Sequence, residues 1–134
     1  MDANRVGASY PDQFGSYRLA GQQAVSLAST GDVTTLVAQE ATKYIVRRIT
    51  LSNFSGNASA VNVGVFTAAT GAGTTIVADA ALGATAIADG YKDLTLATAA
   101  NANVQTSQVL YVNVSTGNTA VTCDINLYGD IVAL

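Results

Sequence analysis

From residue 22 onward, apolar and polar positions alternate along much of this chain with a period of two. That is the spacing of a strand that buries one face and solvates the other. The clearest stretch is residues 60–66, where Val61, Val63 and Val65 share a side, followed by residues 109–114, where Leu110, Val112 and Val114 do. In residues 120–132, Val121, Cys123, Ile125 and Leu127 face in, and Thr122, Asp124, Asn126 and Tyr128 face out. Residues 44–52 (YIVRRITLS) form the strongest strand of the first half, with Ile45, Ile49 and Leu51 on one face and Val46, Arg48 and Thr50 on the other. Arg47 then falls on the apolar face, which calls either for a carboxylate at the sheet's rim or for a bulge that turns it outward. Residues 24–27, 33–38, 74–78 and 91–96 supply shorter runs, the last with Leu94 and Leu96 on one face. Residues 79–90 are Ala-rich and fit a short helix or an irregular strand with Leu82 and Ile87 inward. Gly64 leaves room for a close approach on the outer face of its strand, and Gly129 marks a candidate bulge.

Turn signals separate these runs, among them Thr30-Gly31-Asp32, Thr70-Gly71-Ala72-Gly73, Asp89-Gly90 and Thr116-Gly117-Asn118. Short strands at roughly 8–12-residue spacing predict an all-β fold, a single β-sandwich or jelly roll of about eight antiparallel strands. Residues 1–21 differ. They show no apolar period, contain the sole proline, Pro11, and read as an extended N-terminal arm, leaving residues 22–134 as the sandwich domain. Ordering such a segment costs on the order of 1–2 kcal/mol per residue, so it needs a surface to lie on. Arg5, Tyr10, Phe14, Tyr17 and Arg18 are its candidate partner-binding residues, because aromatic and Arg side chains dominate binding hot spots.

Composition narrows the function. Only 11% of the 134 residues are charged, against about 25% in an average domain. The polar coat is instead Thr, Ser, Asn and Gln, as suits a protein that lives packed in an assembly. The net charge is −3, and the longest basic run is the pair Arg47–Arg48, so no nucleic-acid partner is expected. Cations concentrate before residue 49 and anions after it, which gives the C-terminal half an acidic balance. The N-terminus lacks the apolar run of a signal peptide, and no apolar window of ~18 residues suggests a membrane partner.

The chain contains no histidine, which removes the commonest general base and every His-containing metal site. The single cysteine, Cys123, sits on an apolar strand face with no histidine to activate it. Of the carboxylates Glu40, Asp79, Asp89, Asp93, Asp124 and Asp130, all but Asp124 fall at strand ends or in loops, where solvated carboxylates belong. Asp89-Gly90-Tyr91-Lys92-Asp93 places a lysine where a calcium loop needs oxygen ligands. Gly71-Ala72-Gly73 has no following Lys or helix and is not a phosphate loop. No catalytic, cofactor-binding or metal-binding residue is expected, and the chain reads as a non-enzymatic module.

The strand text itself resembles a known group. Residues 44–53 (YIVRRITLSN), 63–69 (VGVFTAA), 110–116 (LYVNVST) and 123–130 (CDINLYGD) are similar to small proteins encoded among tailed-phage and prophage structural genes, several of which resemble jelly-roll cement or decoration proteins. The resemblance spans roughly residues 43–132 and excludes the arm. It implies a viral structural protein on the exterior of the capsid, assembled in the host cytoplasm. Its partners would be the major capsid protein and further copies of itself, with a trimer favoured. The alternative is a phage fibre, spike or lectin-like module that binds glycans or receptors, with Tyr91, Tyr111 and Tyr128 as the exposed aromatic candidates.

Overall fold

A computed structural model describes residues 17–98, 100, 103–117 and 120–134. It is all-β: eight strands in two antiparallel four-stranded sheets. They are β1 (Tyr17–Ser26), β2 (Gly31–Val37), β3 (Lys43–Ser52), β4 (Asn62–Ala68), β5 (Ala72–Ala81), β6 (Tyr91–Asp93), β7 (Val109–Thr116) and β8 (Thr122–Ala133). The first sheet has the order β1-β8-β3-β6, the second β2-β7-β4-β5. The wiring follows one rule. First pairs with last (β1 with β8), second with seventh (β2 with β7), third with sixth (β3 with β6), and β4 with β5. These are the rungs of one long antiparallel ladder folded at its middle. Rolling the ladder up adds the contacts of β8 with β3 and of β7 with β4. That is a jelly roll, as the strand spacing predicts.

The core lies between the sheets, and the alternation seen in the sequence fills it. Val61, Val63, Val65, Leu110, Val112, Val114, Val121, Cys123, Ile125 and Leu127 are all buried. Aliphatic side chains dominate, each worth about 1.5–3 kcal/mol when fully buried. Tyr44 is fully enclosed; its hydroxyl donates to the Ser107 carbonyl, and its backbone exchanges both hydrogen bonds with Gln105. It thereby staples the long connection between β6 and β7 to the end of β3.

Three expectations change. In β3 it is Tyr44 and Val46 that are buried, with Ile45 half-exposed, while Ile49 and Leu51 are buried as expected. The cause is a bulge: Val46 faces Gly129 and Arg48 faces Tyr128, so Arg47 is an extra residue that reverses the phase of the strand. Arg47 is thus turned outward and also meets a carboxylate, Asp130, at 2.8 Å. In the Ala-rich stretch, β5 runs on to Ala81 and Leu82 is buried, but Ile87 is 43% exposed. Ala86 takes the inward place, because the loop packs close enough for its carbonyl to accept the Ala58 N–H. Finally, residues 17–21 are not part of an arm but the first half of β1, paired with β8. Residues 1–16 lie outside the described residues.

Two glycines explain close approaches. A Cβ at Gly64 would lie 2.8 Å from the Phe66 ring, which folds back over it on the outer face of β4. A Cβ at Gly129 would strike the Ile45 carbonyl, where β8 runs between the Arg47 bulge of β3 and a second bulge at Leu19 of β1.

Candidate functional site

Alternation along β8 turns Thr122, Asp124, Asn126 and Tyr128 to the outer face of the first sheet, each half-buried by its neighbours. The ladders on both sides decide what stands next to them. Arg18 of β1 and Arg48 of β3 flank Tyr128, while Gly21 and Thr50 flank Asn126. The central row of this face is therefore Arg18–Tyr128–Arg48. Neighbouring strands lie about 4.8 Å apart, so the two Arg residues are rooted roughly 10 Å apart with the phenol between them.

Each member is positioned by a nearby group. The Arg48 Nε donates to Asp93 Oδ1 of β6 at 2.8 Å, in a pair that is half-exposed on both sides. The hydrogen bond and charge of Asp93 raise the Arg48 pKa above its ordinary value. Arg18 lies across Gly21: a Cβ there would run into its guanidinium and come within 2.7 Å of Asn126 Oδ1. Gly21 is thus the seat over which Arg18 is laid. Arg18 is exposed and has no carboxylate partner among the described residues. Asp124, further along β8, accepts from the Ala24 N–H at 2.9 Å and from Asn53 Nδ2 at 3.2 Å. Ala24 and Asn53 both have positive φ, near +53° and +54°. An alanine in that region is unfavourable, and the charge-assisted bond from Asp124 offsets the strain where β1 bulges.

The two outer faces differ in charge. Every cation among the described residues (Arg18, Lys43, Arg47, Arg48 and Lys92) belongs to the first sheet. The second sheet carries only Asp32 and Asp79, tied down by Asn113 and Ser115 of β7 at 2.9 and 2.7 Å. The asymmetry runs between sheets, not between halves of the sequence, because Lys92 of the acidic half joins the basic sheet through β6.

Of the expected partner-binding residues, Arg5, Tyr10 and Phe14 lie outside the described residues. Tyr17 and Arg18 are adjacent on β1 but diverge. Arg18 joins the outer row, while the Tyr17 hydroxyl donates to Glu40 Oε1 at 2.6 Å, across a groove that Gln39 and Val37 also line. Sequence reasoning turned Arg48 and Tyr128 outward but did not join them to Arg18, because that needs the register of three strands. The tyrosines expected for a glycan platform are divided: Tyr91 and Tyr128 belong to the first sheet, Tyr111 to the second. The chain matches no protein-family model, no curated protein and no solved structure.

Proposed function

We propose that this protein is a non-enzymatic structural module that decorates the outside of a viral capsid of the tailed-phage type and stabilises the shell through protein–protein contacts. The observation that carries this reading is the Arg18–Tyr128–Arg48 row on the outer face of the first sheet. Arg and Tyr are the side chains that most often supply hot-spot energy in protein interfaces. Here their backbones are held in paired strands, so little backbone ordering entropy is lost when a partner docks. The strand text supports the kind of partner, through its likeness to capsid cement proteins, and the sparsely charged surface suits a protein held in an assembly. The partners are the major capsid protein and two further copies of this chain at local threefold positions. Residues 1–16 precede β1 in the sequence, and Arg5, Tyr10 and Phe14 would add contacts to the shell.

Co-sedimentation with assembled shells tests the reading. The protein should pellet with them, and mass spectrometry of purified particles should find it in fixed ratio to the shell protein. Charge reversal at Arg18 and Arg48 should weaken pelleting at least tenfold, and light scattering of the free protein should give the mass of three chains. Absence from particles together with failure to pellet would overturn the reading.

A further inference from the structure

At the end of the sandwich where β4 turns into β5, the Tyr44 staple holds residues 103–107 against Thr67 and Thr74. Between them is an open cleft of about 420 Å³. That is within the usual range for small-molecule sites. The residues that line it are alike in chemistry: Thr67, Thr74, Thr106 and Ser107 carry hydroxyls, Asn103 and Gln105 carry carboxamides, and Val104 is the apolar member. No lining residue carries a charge.

Gln105 is more than nine-tenths buried, yet its side chain is poorly satisfied. Its Nε2 reaches the Asn103 carbonyl only at 3.4 Å, and its Oε1 accepts no hydrogen bond from the described residues. Buried polar groups in folded proteins are nearly always paired, so such a carboxamide marks a place where an external group completes the bonding. Its backbone is fixed in both directions by Tyr44. The Thr67 Oγ1 accepts from the Thr74 N–H at 2.8 Å, which leaves the Thr67 hydroxyl proton free to donate. Thr106 and Ser107 make no side-chain hydrogen bond to the described residues. Val104 is 45% exposed beside them.

We infer that this cleft binds a neutral, hydroxyl-rich ligand, a sugar residue. Ions find no countercharge there, and an apolar ligand would strand half a dozen polar groups. A sugar's hydroxyls both donate and accept, as the Thr, Ser, Asn and Gln side chains do. One of its C–H faces can lie on Val104. The site does not depend on capsid attachment and uses none of the three tyrosines.

The test is a titration of ¹⁵N-labelled full-length protein with a panel of neutral monosaccharides, with inorganic phosphate in parallel. At least one sugar should give saturable shifts at the amides of Thr67, Thr74 and residues 103–107, and phosphate should give none. Thr74→Val and Thr106→Val alter exposed side chains, so the fold should persist, and each should weaken binding roughly three- to tenfold through loss of one neutral hydrogen bond. Gln105→Leu should abolish binding, its folding checked by the unchanged spectrum of the distant β1 and β8 amides. Failure of every sugar to saturate, equal shifts with phosphate, or binding indifferent to both threonine variants would overturn the inference.

Discussion

Gly129 shows how much one hydrogen atom can decide here. Any larger residue places a carbon against the Ile45 carbonyl, and backbone cannot step aside as a side chain can. Gly129→Ala should therefore cost about 1–3 kcal/mol or more in urea unfolding. Gly64→Ala should cost less, because its main obstacle is the Phe66 ring, which can rotate off. Equal losses would show that the strands part more easily than the geometry implies. Two buried titrating groups make a second residue-level prediction. Burial raises the Cys123 thiol from 9.0 to about 12, with the charge of Asp124 adding to the effect. Burial likewise raises the Tyr44 phenol from 10.0 to about 12. Both favour the protonated form in the fold, so above pH 9 the unfolded chain holds fewer protons than the folded one. The contribution of these two groups to stability should be constant below pH 9 and fall progressively between about 9 and 12. Unfolding curves across that window check the sign, and Cys123→Ala should make the fall shallower. Folded Cys123 should also resist thiol reagents until the protein unfolds.

At the level of the strand, β3 carries two ion pairs with unequal roles. Arg48–Asp93 is half-exposed on both sides, and pairs of that kind contribute about 0.2–1 kcal/mol. Arg47–Asp130 joins a 40% exposed arginine to a carboxylate only 8% exposed. Arg47→Met removes a partner of a largely buried charge and should cost about 1–3 kcal/mol by chemical denaturation. Asp93→Asn should cost little, and a reversed ranking would contradict the assignment. The same strand marks the limit of what the sequence makes legible. Simple alternation correctly buries Val61, Val63 and Val65, Leu110, Val112 and Val114, and Val121, Cys123, Ile125 and Leu127. It fails at Val46 because a period-two pattern cannot register an inserted residue. The two possible fates of Arg47, an acidic partner or a bulge, prove to be one event. Ile87 fails for a different reason: hydrophobicity favours it over Ala86, but the backbone bond from the Ala58 N–H to the Ala86 carbonyl holds Ala86 inward and leaves Ile87 exposed. The row Arg18–Tyr128–Arg48 was beyond reach, since it joins residues 30 and 110 positions apart.

For the molecule as a whole, the ladder wiring sets the folding problem. β1 and β8 are neighbours in one sheet and lie at opposite ends of the sequence, so the first sheet cannot close until the whole chain is present. Non-local sheets of this kind fold on the millisecond-to-second scale. Stopped-flow refolding in that range is expected, and microsecond folding would contradict it. Removing residues 1–21 takes half of β1 as well as the preceding segment, so it should lower stability along with any loss of attachment. Removing residues 1–16 leaves β1 whole and is the cleaner variant for attachment assays.

Antiparallel pairing of β1 with β8 brings Tyr17 alongside Gly129, four residues before the chain leaves its last strand. The start of β1 and the end of β8 thus share one pole of the sandwich, and Leu134 there is 85% exposed. A reporter or antigen fused after Leu134 would emerge near the start of β1, to which the N-terminal segment is joined. If that segment grips a shell, the cargo would be held against the shell wall, and an insertion in the turn between β7 and β8, at the opposite pole, would project it outward.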